Sequence, residues 1–136
     1  MDNVFRVLCV FSSEDVQSEF KKIADKLQEK ESTRIDSKKI SIEYYSRDKH
    51  SDNYDVIVAD LSEKESDLSA SISLLSLSEE FNHSQIILIC SLNLRDYSEL
   101  SLAIKDTRTF SFGTELEAIN RIANMQYLFE KELHLL

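Results

Sequence analysis

Residues 4–27 read VFRVLCVFSSEDVQSEFKKIADKL, and the change of period within them decides the fold. The opening run, Val4 to Phe11, is almost unbroken apolar sequence, as in a strand covered on both faces. Behind it, Val16, Phe20, Ile23 and Leu27 recur at helical spacing on one face. Ser12 or Ser13 is placed to cap that helix, and Glu14 and Asp15 sit at its positive end. A buried strand that runs straight into an amphipathic helix is the first half of a parallel βαβ unit.

The same alternation continues along the chain. Residues 31–39 are polar and read as a loop, and ISIEYY, residues 40–45, alternates as a second strand. The third strand is YDVIVADL, residues 54–61, and only polar residues 46–53 precede it. Parallel strands ordinarily need a dozen or more connecting residues, so the crossover helix there is expected to be very short or missing. Residues 65–81 read two ways: SASISLLSLS alternates like a strand, while Leu68, Ile72 and Leu75 fit a helix. The helix is the expectation, because Gln85 to Cys90 is another buried parallel strand and needs a crossover. Asp96 to Lys105 reads as a short helix and Thr109 to Phe112 as a last short strand. From Thr114 to about Leu133 a long helix carries Leu116, Ile119, Ile122, Met125 and Phe129 on a drifting stripe, with Gly113 at the turn and Thr114 as cap. The expectation is an α/β protein in three layers, one domain over 1–136, around a five-stranded parallel doubly wound sheet. The C-terminal helix, about 114–134, is extended.

At 136 residues the chain is one domain's length. It holds 25 acidic against 16 basic residues, a formal net charge of −9, which argues against nucleic acid and anionic membrane surfaces as partners. No apolar run approaches the ~20 residues of a membrane span. The start, MDNVFRV, lacks a basic segment before its apolar run, so no secretory signal is expected. The two cysteines, Cys9 and Cys90, lie in apolar runs, which suits inert core positions in a reducing cytoplasm. One glycine and no proline exclude Gly-rich phosphate loops and dinucleotide fingerprints. His50, His83 and His134 are scattered without ligand spacing, so neither a metal nor a cofactor is expected.

In such a sheet ligands bind at the carboxyl ends of the strands. Phe11, Ser12 and Ser13 follow the first strand, Asp60 to Ser62 close the third, Cys90 and Ser91 the fourth, and Phe112 and Gly113 the fifth. This arrangement resembles the receiver domain of bacterial response regulators, a flavodoxin-like fold of strand order 2-1-3-4-5. NYDVIVADLS, residues 53–62, looks like the receiver strand that ends in the phospho-accepting aspartate, here Asp60. At the offsets where the family has a Ser or Thr and then a lysine, this chain has Cys90 and Phe112. TFSFGTELEAI, residues 109–119, resembles the segment in which a Lys-Pro pair precedes the final helix, with Phe112-Gly113 in its place. The family's metal-binding acidic pair falls on Phe11-Ser12 or Ser12-Ser13.

Those departures decide the expected function. Phosphoryl transfer to a carboxylate needs a divalent cation and oxygen ligands to hold it, and Phe and Ser do not replace two carboxylates. A phenylalanine does not offset charge on an acyl phosphate, and a thiol is a poor hydrogen-bond donor. The resemblance thus implies a pseudo-receiver with Asp60 as a vestigial phospho-acceptor. It would be no enzyme, and it would act by contact with a signalling or regulatory protein or with a second copy. The alternatives are a receiver still phosphorylated on Asp60, and an Asp60 that is only a strand-end or capping residue. Glu14 and Asp15 are replacement metal ligands in one reading and helix-start charges in the other. Residues 5–27 also look like the opening of a TIR domain, which would imply a scaffold or an NAD-cleaving enzyme.

Receivers commonly associate through their fourth helix, fifth strand and fifth helix. Tyr97, Leu102, Phe110 and Phe112 match that face. Leu128, Phe129, Leu133 and Leu136 cluster near the end of the last helix and cannot all face one core at 100° per residue. They are the interaction candidates. Ser66, Ser69, Ser71, Ser73, Ser76 and Ser78 read as a solvated helix face, and the Ser12-Ser13 pair as a cap rather than a nucleophile.

Overall fold

The computed structural model describes residues 4–29, 40–45, 53–61 and 66–135, with side chains beyond 131 and those of 27–29 and 130 left aside. Five strands and four helices follow in the order β1 (Phe5–Val10), α1 (Glu14–Glu29), β2 (Ile40–Tyr44), β3 (Val56–Asp60), α2 (Asp67–Glu80), β4 (Gln85–Ile89), α3 (Ser98–Asp106), β5 (Thr109–Phe112) and α4 (Glu115–Leu135). All strands pair in parallel, in the order β2-β1-β3-β4-β5. This is the doubly wound parallel sheet that the alternating apolar runs predict, in the flavodoxin-like strand order that the family resemblance implies.

The period of two splits the central strands between two cores. Val7, Cys9, Val56, Val58, Ile87 and Ile89 face α1 and α4, where Phe20, Ala24, Ile119 and Ile122 meet them. Leu8, Ile57, Ala59, Ile86 and Leu88 face α2 and α3, against Ala70, Leu74, Leu100 and Ala103. Every residue of β3 is buried, which accounts for its continuous apolar sequence.

Local chemistry fixes the helix ends. Ser13 caps α1, with its hydroxyl accepting from the Val16 N–H at 3.4 Å. Thr114 caps α4: the Glu117 N–H donates to Thr114 Oγ1 at 3.2 Å, and that hydroxyl donates to Glu117 Oε1 at 2.9 Å. Asp67 receives the N–H groups of Glu99 and Leu100, both at 2.8 Å, and so ties the start of α3 to the start of α2.

Several sequence expectations are corrected. Leu68, Ile72 and Leu75 do lie on a helix, but on its outer side, and Ala70, Ser71 and Leu74 face the sheet instead. The helix is apolar on two arcs, and the arc with small residues allows closer approach to the strands. Ser71 is buried, so the serines are not a uniform solvated face; its hydroxyl donates to Leu68 O at 3.0 Å. Leu116 is exposed, because Ala118, Ile119, Ile122, Ala123 and Gln126 centre the buried arc of α4 away from it. The expected helix from Asp96 to Lys105 begins later: a 3-10 turn, Leu94–Asp96, precedes α3, Ser98–Asp106, whose start is tied down by Asp67. The expected loop at 31–39, residues 46–52 of the β2–β3 connection and Ser62 lie outside the described residues.

Candidate functional site

The carboxyl edge of the sheet brings the sequence-chosen positions into one row. Register places Asp60 beside Ile89 and Ile89 beside Phe112, while the Ser12-Ser13 turn leaves β1 next to β3. Asp60 is 3% exposed. Its Oδ2 accepts the Ser13 N–H at 2.9 Å and the Ser12 hydroxyl at 3.1 Å. The Ser12 hydroxyl also lies 3.3 Å from the Asp60 carbonyl oxygen. The carboxylate thus clips the β1–α1 turn to the end of β3. Hydrogen bonds to a carboxylate are among the strong ones, and these two help to offset the burial of its oxygens.

Cys90 and Phe112 are joined by backbone, with the Cys90 N–H donating to the Phe112 carbonyl at 2.6 Å. Their side chains lie in different cores: Cys90 packs on the α2–α3 side and Phe112, half-buried, on the α1–α4 side. Burial pushes the Cys90 thiol pKa up; the Leu92 backbone lowers it and the nearby Asp60 charge raises it. Cys9, deeper in the sheet, is also raised by burial. Both thiols are free and buried, and burial disfavours their thiolate forms.

The divalent cation that a receiver uses does not fit these residues. The Ser12 hydroxyl bonds Asp60, the Ser13 hydroxyl caps α1, and Glu14 and Asp15 are exposed on the first turn of α1. Among the described residues no three His, Cys, Asp or Glu side chains converge as a metal site. Beside the clip lies a cleft of about 200 Å³ lined by Val10, Phe11, Ser12, Asp60, Ser73 and Leu77. A larger cavity, about 350 Å³, opens at the opposite, amino end of the strands between Phe5, Asp55, Arg121 and Phe129. The first, smaller cleft lies at the switch point between β1 and β3, where ligands of such sheets bind.

The interaction candidates separate by exposure. Leu102 and Leu128 are exposed. Tyr97 is half-buried against the α2–α3 core, and Phe110 and Phe129 against the α1–α4 core. Phe129 packs against Phe5 in a tilted pair at 5.5 Å between ring centres, and the Arg121 guanidinium covers Phe110 at 4.2 Å. The Leu133 side chain and Leu136 lie outside the described residues. Sequence reading missed the Asp67 clamp, which has no local signal because its partners lie more than 30 residues away.

No protein-family model matches the chain, and no curated protein sequence does. Among solved structures, a chain from Burkholderia pseudomallei described as a "putative pilus assembly-related protein" matches with a TM-score of 0.56 and 10% identity. The match covers 91% of this chain and 92% of that one. The likeness is one of fold. It supports the flavodoxin-like arrangement and assigns no residue a role. No helix among the described residues is long and apolar enough to cross a membrane.

Proposed function

We propose that the chain is a pseudo-receiver: a receiver-like module of a bacterial cytosol that signals by contact with another protein and without phosphorylation. The observation that carries this reading is the Asp60 clip. Phosphorylation would require an Asp60 carboxylate oxygen to attack phosphorus while a cation shields the incoming charge. In this chain one oxygen is engaged by Ser12 and Ser13, and among the described residues no group of three metal-ligating side chains gathers to hold a cation. Phe112, at the lysine position, packs into the apolar core instead of offering a charge. The site has become a structural clip, and function passes to the surface.

Incubation with acetyl phosphate and magnesium, followed by intact-mass measurement, tests the reading. The unmodified mass is expected. A phosphoryl adduct lost on Asp60→Asn would replace the proposal with a working receiver.

A further inference from the structure

Among the described residues, the outer side of α2 forms an unusual surface. The eleven residues Leu68 to Ser78 contain no charge, in a chain whose residues are 30% charged. Leu68, Ile72 and Leu75 follow one another at four- and three-residue spacing and are 62%, 54% and 45% exposed. That spacing lines them up along one stripe. The adjoining α3 adds Leu102 on its own outer side, with Leu100 and Ala103 turned inward. Yet the segment from Ser66 to Asp106 holds six acidic side chains against two basic ones, Arg95 and Lys105. The apolar stripe therefore belongs to a segment whose charged side chains are mostly acidic.

We infer that the outer face of α2 and α3 docks a basic amphipathic helix of a partner protein. Apolar side chains spaced i, i+3 or i+4, i+7 on the partner would cover Leu68, Ile72 and Leu75, and flanking Lys or Arg would meet the acidic surroundings. Charge selects this occupant over a second copy. Two copies joined at this face would bring their own acidic segments together, within a complex of twice the net charge of −9. The stripe is separate from the clip, since Ala70 and Leu74 turn the opposite side of α2 to the sheet. The inference rests on the chain being an interaction module, but the two fail separately: phosphorylation of Asp60 overturns the module reading and leaves the stripe in place.

The probe is a synthetic peptide of about 18 residues, five helical turns, with leucines at that spacing and lysines beside them. Its controls are a scrambled peptide of the same composition and one with glutamate for each lysine. Calorimetry and amide NMR shifts on the full chain are the readouts. The expected result is saturable binding with shifts on α2 and α3, weakened by salt and absent for both controls. Ile72→Glu should raise Kd at least about tenfold, a loss of about 1.4 kcal/mol, with the urea midpoint unchanged. Leu128→Ser on α4 should leave Kd unchanged. Equal binding of the scrambled peptide, an unchanged Kd for Ile72→Glu, or no binding would overturn the inference. Self-association abolished by Ile72→Glu would assign the face to a second copy and overturn it too.

Discussion

Replacing Asp60 with alanine separates a structural clip from a retained reaction site. The substitution removes at least the two hydrogen bonds to the carboxylate Oδ2, at 2.9 and 3.1 Å. Bonds to charged groups contribute about 1.5–3 kcal/mol each. Ser12 is exposed, so its hydroxyl returns to water and most of its share is recovered. The Ser13 N–H is partly buried and is left without its acceptor. Relief from desolvating a 3% exposed carboxylate acts in the opposite direction. The balance is a loss of about 2 kcal/mol for Asp60→Ala. Asp60→Asn keeps one acceptor for the Ser13 N–H and should lose about 1 kcal/mol, and Ser12→Ala less than that. A double-mutant cycle between positions 12 and 60 should give a coupling of about 0.5–1 kcal/mol. Urea melts followed by circular dichroism measure all four chains, with equal slopes required for the comparison. A neutral or stabilising Asp60→Ala would refute the clip, because it would mean that the carboxylate is held against the fold's interest, as reactive groups are.

Three further outcomes follow from the same packing. Leu74→Ala should cost about 2–5 kcal/mol and Leu75→Ala less than about 1, since the first is 1% and the second 45% exposed; equal losses in urea melts would mean that the face of α2 is wrongly assigned. Phe112→Lys places a charge in the half-buried edge of the α1–α4 core and should destabilise by about 1–3 kcal/mol, whereas a neutral melt would put that side chain in solvent. Stability should fall above about pH 8.5, the ordinary thiol pKa, because burial raises Cys9 and Cys90 in the folded state. Below that pH both states keep the protons, and above it only the unfolded chain releases them, at up to about 1.4 kcal/mol per pH unit for each thiol. Cys9→Ala should flatten the alkaline limb, and an unchanged limb would exclude Cys9 as its source.

The sheet was legible in the sequence because β1, β3 and β4 are buried on both faces and therefore read as unbroken apolar runs. The caps were legible for the same local reason: Ser13 and Thr114 act within four residues of themselves. The outer stripe of α2 was not. DLSASISLLSLSEE offers apolar residues on two arcs, and only the sheet's demand for the small residues Ala70 and Ser71 chooses between them. Leu116 misled in the same way, lying at the margin of a helix whose buried arc includes Gln126 and two alanines. The positions Ser12, Ser13, Asp60, Cys90 and Phe112 were readable as strand ends. The bonds from Ser12 and Ser13 to Asp60 were not, since nearly fifty residues separate them and no local pattern records that pairing.

The central claim is that Asp60 holds the β1–α1 turn and accepts no phosphoryl group. Its most direct test is a crystal structure of the protein grown with magnesium and beryllofluoride, a mimic of the phosphorylated carboxylate. The account predicts Asp60 Oδ2 still about 3 Å from the Ser13 nitrogen, with neither beryllium nor magnesium at the carboxylate. Beryllofluoride bonded to Asp60, with magnesium beside it and the Ser12 hydroxyl turned away, would contradict it.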